Sequence, residues 1–229
     1  MPIQVSRMTP SDIPGAITTI QLAFASDPYN LWLYPDRSKI SLERNRVSLT
    51  LRCIWGISHG LFYVARDTAN PGQILGCAMW LPPHPTCARQ SWGEWWSGWW
   101  LWMNQVRMNA WYGRGGLSTT RYWIWKARQA EAQSELWTDA QGYYFCNIVT
   151  VLPEWQGKGV GRALMDEVLS MADREGRRAY LESSRWVPNG AIYERFGFRL
   201  VKEMECRDGD GERDAVTLYC MMREPKGGK

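Results

Sequence analysis

The chain has 229 residues, of which 45% are hydrophobic and 22% charged, with a formal net charge of +4. This fits one ordinary globular domain, or one domain with a sizeable insertion, and a core large enough to fold without disulfides or metals. The basic residues are dispersed, six cysteines and two histidines show no metal-ligand spacing, and no apolar run reaches membrane-spanning length, so no nucleic acid, metal or membrane span is expected. The opening Met-Pro-Ile-Gln-Val carries no charged-then-apolar leader, which makes reduced thiols and a cytoplasmic location the expectation.

In chain order, Ile3 to Met8 alternates apolar and polar residues and is predicted as a strand. Asp12 to Ala25 carries Ile13, Ile17, Ile20 and Phe24 at helical spacing, and Asp27-Pro28 is expected to end that helix. Ser41 to Ile57 is predicted as a second helix, with Leu42, Val47, Leu51, Ile54 and Trp55 as its apolar set. Leu61 to Ala65 and Ile74 to Leu81, separated by turn residues, predict a hairpin.

Residues 86 to 140 differ from the rest, holding ten of the fifteen tryptophans. Trp92 to Trp111 has helical length with aromatics all round, which predicts burial on several sides. Ser118 or Thr119 can cap a helix from Arg121 to Leu136, with Trp123, Ala127, Ala130 and Ser134 on one face. This stretch is expected to be a largely helical, tryptophan-rich insertion.

Tyr143 to Leu152 is a continuous β-branched and aromatic run, as in a central strand. A helix over Gly161 to Arg174, a strand over Ala179 to Ser183, a short helix over Asn189 to Phe196 and two closing strands follow. The expected fold is therefore α/β (α+β), with a mixed, partly parallel central sheet flanked by helices.

The segment from Val149 to Gly161 runs from strand to helix through three glycines, with Lys158 and Arg162 at its rim. Helix N-termini offer unpaired amides and partial positive charge to anions, and glycine lets a phosphate approach the backbone. A Walker loop is excluded because GxxxxGK[ST] is absent, and the glycine spacing is wrong for a dinucleotide fold. A plain glycine-rich turn without ligand is the remaining alternative.

Gln156-x-x-Gly159-x-Gly161, preceded by Val149-x-Val151 and Pro153, resembles the pyrophosphate loop of the GNAT acetyltransferases. Asn189-Gly-Ala-Ile-Tyr193-Glu-Arg-Phe-Gly197-Phe198 resembles a later element of that superfamily. Leu181-Glu-Ser-Ser184 and the closing Met222-Arg-Glu-Pro225 are similar to the branch that contains puromycin N-acetyltransferase and its small-molecule-acetylating relatives. The resemblance runs from Tyr143 to Phe198, is faint around Phe24 to Pro28, and does not extend over 86 to 140.

The resemblance implies one GNAT domain over residues 1 to 229 and acetyl-CoA as co-substrate. It places pantetheine against the backbone near Val149 and Val151, and pyrophosphate on Gln156, Gly157, Lys158, Gly159, Val160, Gly161 and Arg162. Tyr193 matches the general acid; read alone, it could equally be a core aromatic with a satisfied hydroxyl. Glu182, at the C-terminal end of a strand, is the candidate general base, or else a carboxylate paired with Arg185. Many relatives carry a glutamate where this chain has Phe145, so a water relay stays open. Asn189 can cap the short helix or bond the cofactor's amide chain.

The activity so implied is acetyl transfer to the primary amine of a small molecule, aromatic or bulky if Trp99, Trp102 and Trp111 line the acceptor pocket. A protein or peptide N-acetyltransferase and a non-catalytic acyl-CoA-binding module are the alternatives. Homodimerisation stays open.

Overall fold

The computed structural model describes residues 3–85 and 92–227, so part of the expected insertion, residues 86–91, lies outside the described residues. Seven strands form one sheet in the order β1-β2-β3-β4-β5-β7-β6. They are β1 (Ile3–Arg7), β2 (Leu61–Asp67), β3 (Asn70–Leu81), β4 (Tyr143–Val151), β5 (Arg178–Ser183), β6 (Arg199–Arg207) and β7 (Ala215–Arg223). β4 and β5 run parallel, and every other neighbouring pair is antiparallel. The mixed sheet expected from the alternation of elements is therefore present, its parallel part confined to one pair.

Helices cover both faces. On one face α6 (Val160–Arg174) buries Val160, Leu164, Val168 and Ala172 against Ala78, Tyr144, Ala179 and Leu181. The short α7 (Asn189–Arg195) contributes Tyr193 to the same cluster. The other face carries α1 (Ile13–Phe24) over β3 and β4, and α5 (Thr119–Leu136) over β6. There Phe145, Tyr180 and Cys220 pack with Trp32 and Ala132. Ser118 caps α5, its Oγ accepting from the Arg121 amide at 3.3 Å, as the sequence indicated.

Several expectations need correction. The first helix ends at Phe24, ahead of Asp27-Pro28 as expected, but Asp27-Pro28 also opens another helix. Asp27 caps a further helix, α2 (Pro28–Leu33), by accepting from the Asn30 amide at 3.1 Å, and Pro28 takes the first position, where its missing N–H is harmless. In α3 (Leu42–His59) the buried residues are Arg44, Cys53 and Gly56, while Leu42 and Ile54 face solvent. Arg44 can be buried because its Nε donates to the Gly113 carbonyl at 2.9 Å and its Nη2 to Asn109 Oδ1 at 2.6 Å.

The face of α5 is also reversed. Trp123, Ala127, Ala130 and Ser134 are exposed, and Arg121, Gln129 and Ala132 are buried. Arg121 bridges Asp208 (2.7 Å) and Asp214 (2.8 Å) and donates to the Trp32 carbonyl at 2.9 Å, so its charge is neutralised and its donors used. A hydrophobicity pattern ranks such a residue as surface.

The tryptophan-rich helix α4 (Trp92–Tyr112) is not buried on several sides. It rests on α3, with Gln105 accepting from Ser48 Oγ at 3.0 Å and Met108 buried. Trp96, Trp99, Trp100, Trp102 and Trp111 are between 41% and 85% exposed. Among the described residues α3 is the main support of α4. Trp99, Trp102 and Trp111 thus stand on an outer layer rather than at the sheet.

Candidate active site

The backbone opens where β4 and β5 part. Their parallel pairing ends at Cys146 and Leu181. Beyond it β4 continues to Val151 with β3 as its strand partner, pairing Ala78 with Val149 and Gly76 with Val151. The register slips between Met79, opposite Ile148, and Trp80, opposite Cys146, so Asn147 is an extra, exposed residue on β4 at the fork. On the side toward β5, the segment holding Val149 and Val151 leaves backbone groups open to a ligand. Asn147 was missed in the sequence because a bulge has no residue signature within a continuous strand pattern.

The glycine loop follows directly. Gly157 (φ 74°) and Gly159 (φ 87°) take left-handed conformations that side chains resist, and an added Cβ at Gly157 would meet only open space. Gly159 is the N-cap of α6, whose ladder starts with Ala163 N–H donating to the Gly159 carbonyl at 3.0 Å. The amides of the preceding turn, through Arg162, have no helical acceptor. Val160 is buried and anchors the turn, while Gly161 packs near Val151. Gln156 donates from Nε2 to the Val151 carbonyl at 3.5 Å and ties the loop to β4. The Lys158 ammonium lies 4.8 Å from the Trp155 ring centre, and Arg162 sits exposed beside Asp166. A cationic, amide-lined rim of this kind suits a pyrophosphate.

Tyr193 is half-buried against the α6 cluster, edge-on to Phe198 at 6.2 Å. Its hydroxyl makes no hydrogen bond to another described residue. Burial raises its pKa, and the Cys146 thiol and the Asp27 carboxylate push it in the same direction.

Glu182 is the first residue of β5 beyond the last pairing with β4. It faces the opposite side of the sheet from Tyr193, toward α5. Its Oε2 accepts from Gln129 Nε2 at 2.8 Å; its Oε1 accepts from Tyr180 OH at 3.0 Å and Gln133 Nε2 at 3.4 Å. Burial raises its pKa above the usual carboxylate value, against those three donors and the Lys126 charge. The expected alternative partner, Arg185, instead donates to the Ser26 carbonyl at 2.7 Å. Phe145 packs against Tyr180 and Trp137 in the aromatic core.

Asn189 does not cap α7; the N-cap is Pro188, and Asn189 Nδ2 donates to Ser183 Oγ at 3.2 Å, fixing the end of β5. Asp27 is the residue that sequence reasoning passed over. Its carboxylate accepts from Ser184 Oγ just past β5 and bears electrostatically on Tyr193. Two residues on, in α2, the Tyr29 ring lies tilted against Trp125 of α5, 5.2 Å between ring centres. The faint Phe24 to Pro28 similarity was the only signal for it.

A forked parallel pair, a glycine loop at the following helix and a phenol beside the fork lie close together in the fold. Residues 118–200 match the family model described as the acetyltransferase (GNAT) domain, a match that begins inside the segment expected to lie outside the resemblance and takes in α5. Over these residues the chain is similar to the GNAT acetyltransferases. It is 26% identical over 225 residues to an uncharacterized N-acetyltransferase of Schizosaccharomyces pombe, covering 96% of this chain and 83% of the relative. Arylalkylamine N-acetyltransferase 2 from Aedes aegypti shares the fold with a TM-score of 0.66 at 14% identity, over 99% of this chain and 100% of that one. So does a histone acetyltransferase HPA2 and related acetyltransferase from Corynebacterium glutamicum, with a TM-score of 0.63 at 20% identity, over 100% of this chain and 99% of that one. Among the described residues no helix is long and apolar enough to cross a membrane, and no cluster of metal-ligating side chains occurs.

Proposed function

We propose that the chain transfers an acetyl group from acetyl-CoA to the primary amine of a small, aromatic or bulky molecule, with residues 1 to 229 acting as one domain. The observation that carries this reading is the placement of Glu182 and Tyr193 on opposite sides of the sheet at the β4–β5 fork. Acetyl-CoA supplies the acyl carbon, activated as a thioester. The loop from Gln156 to Arg162 holds its pyrophosphate, and the open backbone near Val149 and Val151 holds pantetheine. Asn189 acts through Ser183 on the shape of the fork.

Chemically, the amine nitrogen forms a bond to the acyl carbon while the carbon–sulfur bond breaks. The proton lost by nitrogen goes to Glu182, and Tyr193 gives a proton to the departing thiolate. Tyr193, with its hydroxyl committed to no described protein acceptor and its pKa raised by burial, stays protonated for that step. An acceptor entering on the α5 face meets Trp125 and Tyr29, which suits an aromatic amine.

The test is thiol release from acetyl-CoA with 2-phenylethylamine, spermidine and a peptide bearing a free N-terminus. The expected order has 2-phenylethylamine first. Preferential turnover of the peptide would overturn the acceptor assignment, and no release with any amine would overturn the catalytic reading.

A further inference from the structure

The helix α5 belongs to the segment between β3 and β4, yet it reaches the fork. Gln129 lies on its buried face, and each end of its amide is used: Oε1 accepts from Lys126 Nζ at 3.0 Å, and Nε2 donates to Glu182 Oε2 at 2.8 Å. A neutral amide thereby links a cation on α5 to the carboxylate on β5. Such a chain polarises each member in turn. The ammonium of Lys126 is itself half-buried and lies 5.0 Å from the Trp125 ring centre, so water screens it poorly.

We propose that Gln129 is a positioning residue for Glu182: together with Lys126 it holds the Glu182 carboxylate ionised and in one orientation at the fork. This rests on the reading of Glu182 as the base. The other groups facing Glu182 do not supply a cation. Tyr180 comes from β5, Cys220 from β7 and Cys206 from β6, and burial pushes the two thiols up to about 11 and about 12. The Arg52 guanidinium faces Lys126 and helps to lower its pKa, after burial, while Glu182 opposes that fall. Gln133 shares the Oε1 side with Tyr180. Each donor lost from a buried carboxylate raises its pKa further.

Four forms of the full chain decide the matter: parent, Gln129→Leu, Lys126→Met and Glu182→Gln. The Glu182 carboxyl is titrated by carbon NMR and identified by the loss of its signal in Glu182→Gln; kcat/KM for 2-phenylethylamine is followed against pH. Gln129→Leu removes the donor and keeps the bulk, so the carboxyl should titrate about one pH unit higher. The acid limb of kcat/KM should move up with it, leaving KM for acetyl-CoA unchanged. Lys126→Met, which leaves the buried face of α5 intact, should move both in the same direction by less. A carboxyl that titrates identically in parent, Gln129→Leu and Lys126→Met overturns the proposal, whatever the rates do, and makes Gln129 a tether between helix and sheet. A carboxyl that moves as expected while Glu182→Gln leaves the pH profile unchanged overturns instead the base reading, and with it any catalytic meaning of Gln129.

Discussion

The Asp27 carboxylate at the N-cap of α2 accepts a hydrogen bond from Ser184 Oγ, although the two residues stand 157 positions apart. This contact brings the loop after α1 to the end of β5, beside the candidate general acid. If the acceptor's ammonium reaches this end of β5, the Asp27 carboxylate would hold it before it loses its proton. Asp27→Asn should raise KM for the amine about tenfold while leaving acetyl-CoA affinity unchanged, since asparagine caps a helix nearly as well. An unchanged amine KM would leave Asp27 as a cap alone.

Acetyl-CoA should raise the melting temperature. At one hundred times Kd, linkage adds about 2.7 kcal/mol, or roughly 5 to 10 °C for a chain of this size. Gly159→Asp should abolish the rise, because Gly159 sits at φ 87° and an added carboxylate would oppose the phosphates. A shift retained in full by that variant would remove the loop from cofactor binding.

Tyr193→Phe keeps the edge-on packing against Phe198 and removes only the hydroxyl. If the phenol protonates the thiolate, kcat should fall on the order of 100-fold with little change in KM for acetyl-CoA. Unaltered kcat with a lower melting temperature would return Tyr193 to the core.

The pH dependence follows from Glu182. Its pKa is raised above the ordinary value of 4.5, so its protonated form persists to higher pH than in a free glutamate. A base works only when ionised; kcat/KM should therefore fall as pH drops through that raised pKa, giving an acid limb above the usual carboxylate range. Glu182→Gln should be slower and should lack this limb. Superimposable profiles for parent and variant would exclude Glu182 as the base.

Arg121 ties α5 to the turn between β6 and β7 through Asp208 and Asp214. Arg121→Met should lower unfolding stability by about 3 kcal/mol, since it strands two partly covered carboxylates as well as removing the cation. Urea denaturation measures this directly. A change below about 0.5 kcal/mol would mean that the pairs act as exposed surface bridges do.

The local features were legible in the sequence because their causes are local. Positive-φ turns need glycine, so Gly157 and Gly159 announced the loop; Ser41 and Ser118 announced helix starts through their own side-chain oxygens. The mixed, partly parallel sheet followed from alternating elements, and Tyr193 from a motif carried within one short helix. Amphipathic pattern succeeded for α1 and α6, whose buried stripes are apolar apart from Thr19 on α1. It failed for α3 and α5, whose buried faces include Arg44, Arg121 and Gln129, because polar groups enter a core only when distant partners satisfy them.

Those distant partners are what only the tertiary structure supplied. Nothing near Glu182 in the sequence indicates that it meets Gln129 and Gln133 on α5 rather than Arg185, nor does the loop around Asp27 name Ser184. The exposure of Trp96, Trp99, Trp100, Trp102 and Trp111 was likewise set by α4 packing mainly on α3 among the described residues, where its composition implied burial on several sides. The chain alone determined which groups could bind a phosphate or give up a proton. Packing between segments far apart in sequence determined which carboxylates stand at the fork and in what environment, because burial and hydrogen-bond partners, not residue type, set where they titrate.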